Sequence, residues 1–232
     1  MPNDEEEQDR LAFMHHLFRL IIGGDLYRAP ITRKPERILD IGTGTGIWAL
    51  EMAEDFPHVD IVGTDLSPIQ PNFAPPNCRF FVDDAESDWT FSGEEAFDFI
   101  HARSICGGIS DWKRFLRQAY AHLKPGGWLE VQEYETWADS DDGTHEQAVM
   151  IQDWQRLLDK ASRLFGKQMN LASAIGGWMR ESGFRNVTDD IYKVCLSFIL
   201  SIYLCIDLSN QILVPRWFMA QKPPLKGDWS SG

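Results

Sequence analysis

Arg37-Ile-Leu-Asp-Ile-Gly-Thr-Gly-Thr-Gly-Ile-Trp48 is the stretch that decides the fold. Ile38, Leu39 and Ile41 form the apolar core of a strand, and Asp40 stands near its end. The chain then turns through Gly42, Gly44 and Gly46, and a helical pattern begins at Ile47. Glycines accept backbone conformations closed to other residues and let a ligand approach the main chain. Such a turn, between the carboxyl end of a buried strand and the start of a helix, is the geometry of a nucleotide-type cofactor site.

Outward from this stretch the pattern alternates strand with helix. Upstream, Leu11, Met14, Leu17, Phe18 and Ile21 recur at spacings of three and four, which predicts an amphipathic helix over 5–22, ended by Gly23-Gly24. Downstream, a helix over 47–56 stops at Pro57, and strands are expected at 59–64, 80–82, 97–101, 128–132 and 186–193. Helices are expected where Trp112, Phe115, Leu116, Ala119 and Leu123 share a face, over 146–165 and over 170–182. The segment 67–77 holds Pro68, Pro71, Pro75 and Pro76 and reads as loop. Strands alternating with helices imply a doubly wound, mostly parallel α/β sheet covered on both faces, in a single domain. Residues 1–30 read as an N-terminal helical segment and 31–193 as the main domain, with 194–232 set apart as an aberrant tail.

Composition narrows the function classes. A net charge of −13 over 232 residues disfavours non-specific binding to nucleic acid or anionic membrane. The acidic run Asp4-Glu5-Glu6-Glu7 suits the first turn of a helix, where carboxylates face the positive end of the helix dipole. Cys78, Cys106, Cys195 and Cys205 form no CxxC pair and no metal-ligand spacing, so free thiols in a reducing compartment and no metal are expected. The N-terminus lacks the basic-then-apolar pattern of a signal peptide, and the apolar run from Val194 is closed by Asp207, short for a membrane span. A cytoplasmic protein is the expectation.

Three acids sharpen the cofactor reading. Asp65 ends the second strand, where its carboxylate can accept hydrogen bonds from both ribose hydroxyls of an adenosine. Asp83 and Asp84 end the third strand and suit an adenine amino group. The spacing is G-x-G-x-G, and Asp40 with Asp65 and Asp84 makes an acidic mouth that repels a diphosphate and suits S-adenosyl-L-methionine. NAD is the alternative ligand.

These residues carry a resemblance. PNDEEEQDRLAFMHHLF (2–18), the glycine stretch (37–48), GTDLSPIQP (63–71), FDFIHAR (97–103), DWKRFLRQAYAHLKPGGWLEVQE (111–133) and SDDGT (140–144) resemble the fungal LaeA-like branch of class I S-adenosylmethionine-dependent methyltransferases. The resemblance implies a Rossmann-like sheet of seven strands with the cofactor at the tips of the first four. It implies that Asp40, Gly42, Thr43, Gly44 and Gly46 serve the methionine part of the cofactor, and that Asp65 and Leu66 serve the ribose side. Asp83, Asp84 and Ala85 would serve the adenine, and His101, Ala102 and Arg103 would floor the site near the transferred methyl. His101 and Glu133, at the ends of strands four and five, are the candidates for a general base, each with a packing role as its alternative.

The resemblance leaves three functions open. One is an enzyme methylating a nitrogen or oxygen of a small molecule in fungal secondary metabolism. Another is a LaeA-type regulator, nuclear and with a velvet-type protein partner. The third is an inactive remnant. Two departures bear on the choice. Relatives usually carry an upstream segment with aromatic residues over the cofactor, so a truncated start or a missing lid is expected here. After Lys193 the resemblance stops. Val194-Cys195 and Leu208-Ser209-Asn210 can encode an intron's start and branch point, and the shifted frame after Val214 resembles the family's next block. That makes 194–214 a translated intron and 215–232 out of frame. The competing reading takes 216–222 as the sheet's closing strand, antiparallel to strand six.

Overall fold

The computed structural model describes residues 3–31, 34–141, 143–195 and 212–225. Its strands are β1 (Arg37–Ile41), β2 (Asp60–Asp65), β3 (Cys78–Val82), β4 (Phe97–Arg103), β5 (Leu123–Asp139), β6 (Arg185–Ile191), β7 (Val194–Cys195) and β8 (Ile212–Gln221). The helices are α1 (Glu5–Ile21), α2 (Ile47–Asp55), α3 (Trp112–His122), α4 (Val149–Phe165) and α5 (Ala172–Glu181). The sheet runs β3-β2-β1-β4-β5-β8-β6, and the short β7 pairs with β8. β1 to β5 are parallel, and β8 lies antiparallel between β5 and β6. The doubly wound α/β sheet expected from the sequence is the sheet observed.

The central parallel strands are covered on both faces, which is why β1 reads as a near-continuous apolar run. Leu39, Ile41, Ile100, Ala102, Leu129 and Val131 face α3 and α5. Ile38 and Phe99 face α2, packed with Trp48, Ala49 and Met52. On that same side Phe18 and Ile22, from α1 and the residue after it, pack on Trp217 of β8. Local signals set the helix ends. Asp4 caps α1 by accepting a hydrogen bond from the Glu7 amide, with Glu5, Glu6 and Glu7 in its first turn. Asp111 caps α3 through the Arg114 amide in the same way. The proline-rich segment 67–77 carries no helix, as expected.

The differences from the sequence reading lie at the C-terminal half of the sheet. β5 spans Leu123–Asp139 rather than 128–132: at its start Leu123 pairs with Phe97 of β4, and beyond that β8 runs alongside it from Trp128 opposite Gln221 to Glu135 opposite Val214. The helix expected over 146–165 begins at Val149, after a short 3-10 turn over Thr144–Gln147. The larger difference concerns the tail. Residues 212–221, set apart with 194–232, form a strand inside the sheet. Trp217, Phe218 and Ala220 are fully buried there, Trp217 on the α1 face and the other two on the α3–α5 face. β8 satisfies the facing backbone edges of β5 and β6, which would otherwise lack a ladder partner. The competing reading of 216–222 is the one this strand matches. Most of the segment assigned to an intron, 196–211, lies outside the described residues. No helix among the described residues is long and apolar enough to cross a membrane.

Candidate functional site

The glycine turn sits at the carboxyl end of β1, tied to β2 by the Gly42 and Thr43 amides, which donate to the Thr64 carbonyl at 2.9 and 3.0 Å. Its glycines answer different needs. A Cβ on Gly42 would lie 2.5 Å from the Ile105 side chain, and one on Gly46 would lie 2.6 Å from the Phe80 ring. Gly46 also holds the left-handed conformation, φ 80°, from which α2 starts. At Gly44 a Cβ would meet only Leu11 of α1, at 3.6 Å. Gly44 is therefore the glycine whose surroundings leave room beside the main chain, and α1 lies over it.

Asp65 ends β2 with its carboxylate anchored by two amides. Gly44 N–H donates to Oδ2 and Ser67 N–H to Oδ1, each at 2.8 Å. A carboxylate has about four lone-pair positions, so two remain for a ligand diol. Gln70 fastens the same corner by donating to the carbonyls of Gly44 and Ser67. Leu66, next along, is 63 % exposed. At the end of β3, Asp83 is exposed and Asp84 half-buried; the latter accepts from the Glu86 amide at 2.9 Å. Asp83 and Ala85 line a small pocket with Ile41, Thr64, Trp89 and Phe91. Asp65, Leu66, Asp83, Asp84 and Ala85 thus gather on one edge of the sheet, beside the glycine turn.

Asp40 faces inward instead. It is 2 % exposed, with Oδ1 bonded to His101 Nδ1 at 2.7 Å and Oδ2 accepting from the Thr43 hydroxyl at 2.6 Å. His101 is 1 % exposed and stacks flat on Trp48, with centroids 3.8 Å apart and planes 4° apart. Its position beside Asp40 follows from register: Asp40 and His101 are neighbours across β1 and β4. The acid proposed for the methionine tail and the histidine proposed as a base form one buried pair that braces the turn through Thr43. Glu133 is likewise 1 % exposed, and its Oε1 accepts from the amides of Ile105 and Cys106 at 2.6 and 2.9 Å. Burial pushes its carboxyl up to about 7, against the pull of those amides. It holds the loop after β4, and Ile105 of that loop presses on Gly42. Neither candidate base is open to an acceptor in this structure. Cys78 and Cys106 are buried free thiols.

The sequence reading did not find the polar contacts that seat α1. Arg103 Nη2 donates to His15 Nδ1 at 2.9 Å, and His15 Nε2 meets Glu51 Oε2 at 2.9 Å. A guanidinium only donates, so His15 is the neutral Nε2–H tautomer and donates on to Glu51. Burial, and then the charge of Arg103, hold His15 down at about 4. Arg19 completes the group by pairing with Glu51 at 2.9 Å. These residues come from α1, α2 and β4, and no sequence spacing joins them. Gly63 was also missed: a Cβ there would lie 2.7 Å from the Phe80 ring, so its smallness seats the same ring as Gly46.

Comparison with known proteins agrees with this arrangement. A family model described as a methyltransferase domain matches residues 13–189. Methyltransferase pytC of Aspergillus terreus is 46 % identical over 194 residues, covering 83 % of this chain and 59 % of pytC. Secondary metabolism regulator LAE1 of Cochliobolus heterostrophus is 36 % identical over 198 residues, covering 83 % of this chain and 64 % of LAE1. The protein-methionine methyltransferase laeA of Emericella nidulans is 38 % identical over 164 residues, 70 % of this chain and 43 % of laeA. The chain spans less than two thirds of each of these relatives. Among solved structures, the Haemonchus contortus phosphoethanolamine N-methyltransferase 2 in complex with S-adenosyl-L-methionine superposes with a TM-score of 0.57 at 18 % identity, over 90 % of this chain and 56 % of that one. The [4+2]-cyclase SpnF shares the fold equally, with a TM-score of 0.57 at 19 % identity, over 90 % of this chain and 81 % of its own. With its sheet order, its glycine turn and the acid that closes β2, this chain belongs to the methyltransferase-domain family, in the class I Rossmann-like fold and among relatives of the fungal laeA-type proteins.

Proposed function

We propose that this chain binds S-adenosyl-L-methionine and methylates a nitrogen or oxygen of a small molecule in fungal secondary metabolism. The observation that carries the reading is Asp65, held at the tip of β2 by the Gly44 and Ser67 amides with lone pairs to spare for a ribose diol. Asp84 and Ala85 would read the adenine amino group, a role supported by the pocket beside them that Asp83, Ala85, Ile41, Trp89 and Phe91 line. Asp65, Asp83 and Asp84 line that edge with negative charge, which favours a cationic sulfonium ligand over a dinucleotide diphosphate. The bound cofactor supplies an electrophilic methyl that a nucleophile displaces in line. The chain's own part is orientation and exclusion of water. Gly44 leaves the cofactor room at the main chain, the Asp40–His101–Thr43 group fixes the turn, and α1 covers it. No catalytic base is assigned, because both candidates are buried and engaged, His101 with the Asp40 carboxylate and Glu133 with the Ile105 and Cys106 amides.

Calorimetric titration with S-adenosyl-L-methionine tests this. The chain should bind, and Asp65→Ala should weaken binding at least about tenfold, the loss expected for a charge-assisted bond to the diol. Absence of binding by the unaltered chain sinks the proposal. Metabolite profiling of a knockout should then show a species lighter by one methylene.

A second reading is supported by the relatives named as regulators, LAE1 and laeA. On that reading the methyl acceptor is a protein, and the chain works in the nucleus with a velvet-type partner. Pull-down of such a partner, with an unchanged metabolite profile in the knockout's biosynthetic intermediates, favours the regulator.

A further inference from the structure

α4 is turned the wrong way round for a helix of a globular domain. Such a helix ordinarily buries its apolar stripe and exposes its polar side. Here Gln155 and Ser162 are the buried residues, at 3 % and 8 % exposure. Gln155 Nε2 donates to the Thr136 carbonyl at 2.8 Å, and Asp159 accepts from Asn170 at 3.2 Å, so α4 is seated through polar contacts. The opposite side carries Met150, Trp154, Leu157, Ala161, Leu164 and Phe165, all exposed. Met150 is 87 %, Leu164 80 % and Phe165 78 % exposed. From Met150 to Leu164 the spacings of four, three, four and three confine them to an arc of roughly 80° along about 21 Å of helix. That is one continuous apolar strip, of the kind that marks an interaction site.

The edge of the strip says what covers it. Asp153 and Lys160, both exposed, lie on the same side of the stripe and two turns apart. A two-fold axis through Leu157 sets a second α4 antiparallel to the first. Asp153 of each then meets Lys160 of the other, Met150 meets Leu164, and Leu157 meets its own copy. Antiparallel packing also opposes the two helix dipoles favourably. Asp153 pairs within its own helix with Arg156 at 2.7 Å, but both side chains are 61 % exposed, and an exposed pair of that kind exchanges at little cost. The charges of α4 are mixed, with Asp153 and Asp159 against Arg156, Lys160 and Arg163, so the chain's acidic excess does not fall on this face. We propose that α4 is an isologous dimer interface and that its occupant is a second copy of this chain.

Sedimentation velocity on the full chain, across a wide concentration range, reads this directly. The unaltered chain should reach a dimer. Leu157→Glu, at an exposed position on the axis, should weaken it at least about tenfold. Asp153→Lys should weaken it as well, and adding Lys160→Asp to that variant should restore it, which loss of folding cannot mimic. Leu157→Cys should cross-link to its own copy under mild oxidation. A monomer at every concentration overturns the proposal, as does a dimer indifferent to Leu157→Glu or a charge swap that fails to restore. A different protein held on α4 in place of a second copy overturns it too.

Discussion

His101 shows what register does to a residue that sequence alone would send to the chemistry. It stands near the end of a buried strand, two residues before an arginine, where a class I site would seek its floor. Pairing opposite Asp40 instead places it under the glycine turn, stacked on Trp48. Its Nδ1–H holds Asp40 Oδ1, Asp40 Oδ2 holds the Thr43 hydroxyl, and Thr43 belongs to the turn. His101→Phe keeps an aromatic ring against Trp48 but leaves a buried carboxylate oxygen without its donor. The expected cost is about 1–3 kcal/mol of stability in urea unfolding, with weakened S-adenosyl-L-methionine binding alongside. Asp65→Ala should separate from it, lowering affinity while changing the unfolding midpoint less, because Asp65 sits at the rim and not in the core. If His101→Phe leaves both readouts unchanged, the brace is not what holds the turn.

The loop after β4 and helix α1 are the elements that complete the site. Ser104 takes a left-handed backbone, φ 55°, at the point where the chain leaves β4, and Glu133 then ties down Ile105 and Cys106. The Glu133 carboxyl is raised by burial from 4.5 to about 7, so the folded loop binds its proton more tightly than the unfolded chain does. Its contribution is therefore full below pH 4.5 and is lost as pH rises through about 7. Glu133→Gln keeps an acceptor for the two amides and cannot titrate. Thermal unfolding followed against pH should show a falling contribution between pH 4.5 and 7 in the parent that is absent in Glu133→Gln, on the order of 3 kcal/mol across the window. His15 acts with the opposite sign. Burial and Arg103 hold it near 4, so what it contributes to seating α1 is present above pH 6.5 and is lost as pH falls through about 4. Amide protection factors in α1, corrected for the slower intrinsic exchange in acid, should fall over that interval while those of the strands hold.

For the molecule as a whole, β8 decides whether the sheet is one body. It joins β6 to β5, and its Trp217 anchors Phe18 of α1 with ring centroids 5.3 Å apart. A chain ended after Lys193 would leave the β5 edge open and uncover both faces that Trp217 and Phe218 now fill. Such a chain should lose cooperative unfolding, and Trp217→Ala alone should cost about 3–5 kcal/mol in denaturant unfolding. A truncated chain that unfolds like the parent would show that β8 adds nothing to the fold. The alternation of strands and helices, the glycine turn, the acids closing β2 and β3 and the acidic first turn of α1 were legible in the sequence. Each is a local pattern, set by periodicity, backbone conformation or strand ends within a few residues. Tertiary structure decided three things: it buried His101 and Glu133 where the sequence left a catalytic and a packing role open, it brought Arg103, His15 and Glu51 together, and it set 212–221 between β5 and β6 where the sequence left two readings of the tail. In each, the partners lie tens of residues apart and meet through strand register and helix docking, which no spacing along the chain encodes.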